Sequence, residues 1–121
     1  MDKRAIVMVV DDAPVNLHLC KGLLDGEYDV RLAKSGKMAL AALNRVRPDI
    51  ILLDIEMPDM TGFEFMDEFN KNADLKGIPV VFATSHNAEK VAAKAAEHGV
   101  VDYIEKPFNA ATLLGKIKAW C

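Results

Sequence analysis

The sequence predicts an α/β domain: a doubly wound parallel sheet of five strands in the order 2-1-3-4-5, with five helices on its two faces. Three observations lead there. Strand-like and helix-like segments alternate along the whole chain, a pattern that yields a parallel sheet covered on both sides. Three of the strand-like runs are apolar throughout, as strands buried on both faces must be; the other two are interrupted by polar residues and suit the sheet edges. The 121 residues suffice for one such domain, 1–121, and are too few for a second core.

The first apolar run, Ala5–Val10, stops at Asp11-Asp12-Ala13-Pro14, and Pro14 suits the first turn of a helix. Leu17, Cys20 and Leu24 then recur at helical spacing up to Gly26. Tyr28–Ala33 alternates and reads as a strand exposed on one side. Ser35 is the predicted N-cap of a helix carrying Met38, Leu40 and Leu43. Asp49–Leu53 is the second apolar run; the loop Met57–Gly62 follows, then a helix with Phe63, Met66 and Phe69. Pro79–Ala83 is the third run, followed by a helix from about Asn87 to His98, with Gly99 where a left-handed C-terminal cap belongs. Val101–Glu105 reads as a mixed fifth strand, and Asn109 caps a last helix with Leu113, Ile117 and Trp120 on one face.

Composition narrows the function classes. No apolar run approaches the ~20 residues of a membrane span, and the start of the chain is too short and polar for a signal peptide, so a cytoplasmic location is expected. The net charge is −3 with both signs interspersed. No basic stripe suited to phosphate backbones is present, which argues against direct nucleic-acid binding. Cys20 and Cys121 lack metal-ligand spacing, and Cys20 reads as core filler beside Leu17 and Leu24. His18 and His98 read as surface residues and His86 as a solvated loop residue.

In such a sheet, ligands gather beyond the carboxyl ends of the strands, near the switch point between the first and third. Those ends carry Asp11-Asp12, Asp54, Thr84-Ser85 and Lys106-Pro107. Three carboxylates, a hydroxyl and an ammonium therefore meet at one rim. Carboxylates so close repel unless a cation sits among them, and a hard, oxygen-seeking ion such as Mg²⁺ suits the set. A carboxylate held there is a competent nucleophile toward phosphorus, with the amine and hydroxyl placed to bind the remaining phosphoryl oxygens. Asp54, ending the third strand beside the acidic pair, is the natural acceptor.

These segments resemble the signature stretches of response-regulator receiver domains, flavodoxin-like in fold: Val9-Val10-Asp11-Asp12, Leu52 through Gly62, Ala83-Thr84-Ser85 and Asp102 through Phe108. The resemblance covers essentially the whole chain. It implies Asp54 as phosphoacceptor, with Asp12 and Asp54 as direct ligands of Mg²⁺ (or Mn²⁺), Asp11 acting through water, and the backbone carbonyl of Glu56 completing the protein's share. Thr84 would be the switch hydroxyl, Tyr103 the switch aromatic, and Lys106 the phosphoryl-binding amine before a cis bond to Pro107. The phosphoryl group would come from a sensor histidine kinase, a phosphotransfer protein or a small phosphodonor. A downstream protein or fused output domain would be met through the fourth helix, fifth strand and fifth helix. Such a domain is a switch rather than an enzyme, catalysing only its own phosphoryl transfer and dephosphorylation.

Two other classes use related chemistry. Aspartyl-phosphate phosphohydrolases carry a second Asp two residues past the nucleophile; Glu56 stands there, and the chain has no segment for a cap domain. A phosphorylation-independent interaction module usually lacks an acidic, Thr or Lys position that is present here. Glu56 and His86, each two residues past a site residue, are further expected to border the approach of a hydrolytic water. The start at Met1 is read as the natural N-terminus, with a slight preference for a stand-alone receiver over a segment of a longer protein.

Overall fold

Runs of aliphatic residues with nothing polar on either face can only be satisfied at the centre of a sheet. The computed structural model describes residues 4–85 and 88–121, with residues 88 and 89 described by backbone alone. In it β1 (Ile6–Val10), β3 (Ile50–Asp54) and β4 (Val80–Thr84) form that centre, and every residue of β3 and β4 is buried. The edges are β2 (Asp29–Ala33) and β5 (Asp102–Glu105), so the parallel sheet runs β2-β1-β3-β4-β5, as the hydropathy pattern predicts. The register aligns Val10 with Leu53 and Asp54 with Ala83, which brings the strand ends to one rim.

Two helical layers cover the sheet. On one face α1 (Pro14–Leu24) and α5 (Ala110–Trp120) bury Leu17, Leu24, Leu113 and Ile117 against Val7, Val9 and Val81. On the other, α2 (Gly36–Ala42), α3 (Gly62–Asn70) and α4 (Ala88–Glu97) close over Met8, Ile51, Leu53 and Phe82. Each such side chain contributes about 1.5–3 kcal/mol on full burial, and the strand ends inherit the rigidity of this core. None of the described helices is long and apolar enough to cross a membrane.

The helix ends are specified locally. Ser35 Oγ accepts the Met38 N–H at 3.1 Å, and the Asn109 side chain accepts that of Thr112 at 2.8 Å. Thr61 and Glu64 form a reciprocal capping box at the start of α3. Gly99 adopts φ +88°, the left-handed cap expected of it. One cap arrives from elsewhere in the chain: the Asp59 carboxylate accepts the N–H groups of Gly36 (3.3 Å) and Lys37 (2.9 Å), tying the β3–α3 loop to the start of α2. Those bonds outweigh the burial that would raise the Asp59 pKa, and hold it below the ordinary carboxylate range.

Several details differ from the sequence reading. The buried residues of α2 are Gly36 and Ala39, followed by Leu43, while Met38 points outward at 53% exposure; the absence of a side chain at Gly36 leaves the room that the Met60 side chain fills. In α3 the buried set is Phe65, Met66 and Phe69, with Phe63 only half-buried. Trp120 continues the face of Leu113 and Ile117 but, at the last residue of α5, is 41% exposed. A short 3₁₀ turn, Ala73–Leu75, was not anticipated; the Asn72 side chain caps it. His98 lies just past α4 rather than loose on the surface. Its ring packs against Phe63 with centroids 5.1 Å apart, and Nε2 is 3.5 Å from Asp67. Cys20 is core filler as expected, and burial pushes its thiol up to about 11.

Candidate functional site

Parallel topology gathers the strand ends, so the site assembles from residues far apart in sequence. Asp11 follows β1, Asp54 closes β3, Thr84 closes β4 and Lys106 follows β5. Among the described residues Asp11, Asp54 and Thr84 are the buried polar ones, at 4%, 8% and 3% exposure. Asp12 is exposed beside them, and oxygens of Asp11, Asp12 and Asp54 lie within 4.8 Å of one another. Lys106 Nζ bridges the group, 2.9 Å from Asp11 Oδ2 and 3.2 Å from Asp54 Oδ1. Its backbone N–H donates to the Thr84 carbonyl at 2.8 Å, and the Lys106–Pro107 peptide is cis.

The two buried carboxylates are not equivalent. Asp11 Oδ1 accepts the Ala13 N–H at 2.9 Å, while Oδ2 accepts both Lys106 Nζ and Asn16 Nδ2, the latter at 3.2 Å. Asp54 is held more lightly, by the shared Lys106 and the Glu56 backbone N–H. Burial pushes the Asp54 carboxyl above its ordinary value and the Asp11 charge adds to this; Lys106 and the Glu56 N–H oppose but do not cancel it. Burial alone would depress Lys106, yet its two carboxylate partners raise it. Lys106 is raised because two carboxylates face one ammonium, whereas for Asp54 burial outweighs its share of that ammonium.

Three carboxylates against one ammonium leave two negative charges in excess, which matches a divalent cation. The donors are all hard oxygens. Oxygens sharing an ion at about 2.1 Å each stand no more than about 4.2 Å apart, only slightly closer than the spread seen, and the exposed Asp12 is free to adjust. The residues therefore fit Mg²⁺. Glu56 is at the same rim through its N–H, with its side chain exposed. His86, paired with Glu56 in the sequence reading, lies outside the described residues.

Tyr103 is not part of the carboxylate cluster. It sits half-buried on β5 in register with Phe82. Lys116 Nζ lies 5.6 Å from its ring centroid and 3.0 Å from Asp102 Oδ1, and Trp120 Nε1 donates to Asp102 Oδ2 at 2.9 Å. Burial would raise the Asp102 pKa, but these two donors and the Tyr103 N–H hold it below the ordinary value. Sequence reasoning missed this link and the roles of Asn16 and Asp59. Asn16 carries a faint signal, as a polar residue one turn beyond the acidic pair; the others are tertiary contacts with no local signature.

The sequence family described as the response regulator receiver domain matches residues 7–118. Protein PilH of Pseudomonas aeruginosa is 31% identical over 95% of this chain and 96% of its own length. The chain spans only 25% and 51% of two other curated relatives, at 34% identity. Among solved structures, the chemotaxis response regulator CheY4 of Vibrio cholerae superposes with a TM-score of 0.92 at 31% identity, covering 98% of this chain and all of that one. The receiver domain of the sensor histidine kinase PA1611 from Pseudomonas aeruginosa, solved with a magnesium ion in its active-site cleft, superposes with a TM-score of 0.87 at 26% identity, over 97% of each chain.

Proposed function

The chain belongs to the response regulator receiver domain family, which is phosphorylated on aspartate in two-component signalling, and on that basis we propose that Asp54 is its phosphoacceptor. One observation carries the choice. Asp11 accepts three protein donors, whereas Asp54, buried at the same rim, is held only by the shared Lys106 and the Glu56 N–H, so its carboxylate is the less tied down of the two. In the transfer, an Asp54 oxygen forms the new O–P bond as the bond from phosphorus to the phosphohistidine nitrogen breaks, and the nitrogen leaves with the electron pair. Asp11, Asp12, Asp54 and the Glu56 carbonyl are the groups that would hold Mg²⁺, or Mn²⁺ with the same oxygen preference. When bound, the ion neutralises charge on the transferring group.

Lys106 exchanges its contact with the Asp54 carboxylate for one with a phosphoryl oxygen, and its bond to Asp11 keeps the ammonium in place during the exchange. Thr84, at the end of the neighbouring strand, reads the product through its hydroxyl, and Tyr103 transmits the change to the face formed by α4, β5 and α5. The partners are then a histidine kinase or phosphotransfer protein on the input side and a protein or output domain on that face. Incubated with Mg²⁺ and acetyl phosphate, the protein is expected to gain one phosphoryl group by intact mass. Thr84→Ala should gain it too but lose most of the phosphorylation-induced amide shifts on the α4–β5–α5 face, because a population shift needs a contact that differs between the two states. Shifts persisting unchanged in the variant would remove Thr84 from the switch.

The metal assignment has its own test. A cation that binds only the folded state stabilises it by mass action, by about 1.4 kcal/mol at ten times its dissociation constant. Thermal unfolding should therefore rise with Mg²⁺, and the rise should shrink in Asp12→Ala, whose exposed side chain contributes little to packing. A melting curve indifferent to Mg²⁺ would contradict the assignment.

A further inference from the structure

Along the outer edge of β2 a groove, an unpaired strand edge and cations without an ion-pair partner among the described residues coincide. Asp29 N–H and Ala33 C=O bond inward to the first strand's segment, to Ala5 and from Asp11. By the alternation of a parallel ladder, the backbone groups of Val30 and Leu32 therefore face outward, and neither residue has a backbone partner among the described residues on that side. Beside this edge runs an open groove of about 570 Å³ whose floor includes Val30, Leu32, Ala42 and Val46. Leu32 is 37% exposed there. None of its walls is shared with the carboxylate cluster.

Its charge is one-sided. Lys21, on the helix covering one face of the sheet, and Arg45, just past the helix covering the other, both line the groove, and neither is ion-paired to a described residue. Arg31 is bound to Asp29 between them. On a chain of net charge −3 this is a local cationic rim around two free donors and two free acceptors. Charged residues on an edge strand commonly keep copies of a protein apart, and the same logic holds here: two-fold pairing of β2 with β2 would set each cationic rim against itself.

We propose that this edge is a docking surface for an extended acidic segment of a partner protein, which adds to the sheet beside β2 as a sixth strand. Main-chain bonds to Val30 and Leu32 would supply register, apolar side chains would cover Leu32, Ala42 and Val46, and carboxylates on successive residues would reach Lys21 on one face and Arg45 on the other. Successive residues of a strand point to opposite faces, so adjacent acidic residues meet both cations at once.

The test uses the full chain, isotope-labelled, titrated with a capped octapeptide of Glu-Glu-Val-Val repeats. Saturable shifts of the Val30 and Leu32 amides are expected, weakening by about tenfold in the Lys21→Glu/Arg45→Glu double variant, partially in Lys21→Gln/Arg45→Gln, and with added salt. A Lys-for-Glu peptide should not bind, and a backbone N-methylated version should bind far more weakly. Four outcomes would overturn the proposal: no saturable shifts; shifts confined to the carboxylate cluster; equal binding by the N-methylated peptide; or concentration-dependent self-association through Val30 and Leu32, which would make a second copy the occupant.

Discussion

Asp54→Asn is expected to abolish covalent phosphorylation: with Mg²⁺ and acetyl phosphate, the wild-type chain gains one phosphoryl group by intact mass and the variant gains none. An amide oxygen is too weak a nucleophile to replace the carboxylate, and Asp11 is oriented by Ala13, Asn16 and Lys106 for a supporting role rather than as a substitute acceptor. An equal gain in the variant would put the acceptor elsewhere. The same substitution should act on stability with the opposite sign. Burial, then the charge of Asp11, raises the Asp54 pKa above its ordinary value. A carboxyl raised on folding contributes stability below its unfolded pKa, about 3.9, and that contribution is lost as pH rises through the folded value. At neutral pH without metal, ionised Asp54 is therefore a net cost, and Asp54→Asn should be the more stable protein, with the difference fading as pH falls toward about 3.5. Urea midpoints measured across pH in the presence of a chelator decide this; a variant weaker at every pH would mean that the lost bond to Lys106 outweighs the burial.

Phe82→Ala should destabilise the fold by about 3–5 kcal/mol, the range for emptying a large aromatic site in a packed core. Phe82 is fully buried on β4, with Leu53 and Tyr103 as its register neighbours. Its ring meets Phe63 edge-on with centroids 5.2 Å apart, and a Cβ on Gly62 would stand 3.1 Å from it. The close approach of Gly62 to Phe82 and to the Ile55 backbone seats the loop that carries Glu56, so the void would open beneath the site. Against a typical total of about 5–15 kcal/mol, the loss is a large fraction. Urea unfolding should show a lowered midpoint with an unchanged slope; a loss below about 1 kcal/mol would mean that Phe63 and its neighbours collapse into the space.

The rim was legible from sequence because its cause is local. A fully apolar run has one place in a parallel sheet, and the polar residue ending it has one rim to occupy, so Asp11, Asp54, Thr84 and Lys106 follow from hydropathy and topology together. Strand order was legible for the same reason, through the polar interruptions of β2 and β5. What escaped depends on packing distances. The periodicity of α2 includes Met38, but the buried face is set by Gly36, which makes room for Met60 of a distant loop, and by Ala39, which leaves Met38 outside. The division of Lys106 between two carboxylates, the bond from Asn16 to Asp11 and the link from Trp120 through Asp102 to Lys116 join residues 5 to 95 positions apart. His98 reads from sequence as a surface residue because its partners, Phe63 and Asp67, lie on another helix.

The unequal burial of the two halves of the sheet has a consequence for how the molecule breathes. Amides of β3, enclosed on both faces and paired with a strand on either side, are expected to reach solvent only when the whole domain unfolds. In α4, by contrast, Ala95 is the one buried side chain among those described, and β5 is the thinly covered edge beside it. That pair is expected to open at a lower free energy than the centre of the sheet. The proposed acceptor thus stands on the part of the chain that lets go last, while the surface proposed to report its state belongs to the part that lets go first, so a modest chemical event at the rim can redistribute one region without loosening the other.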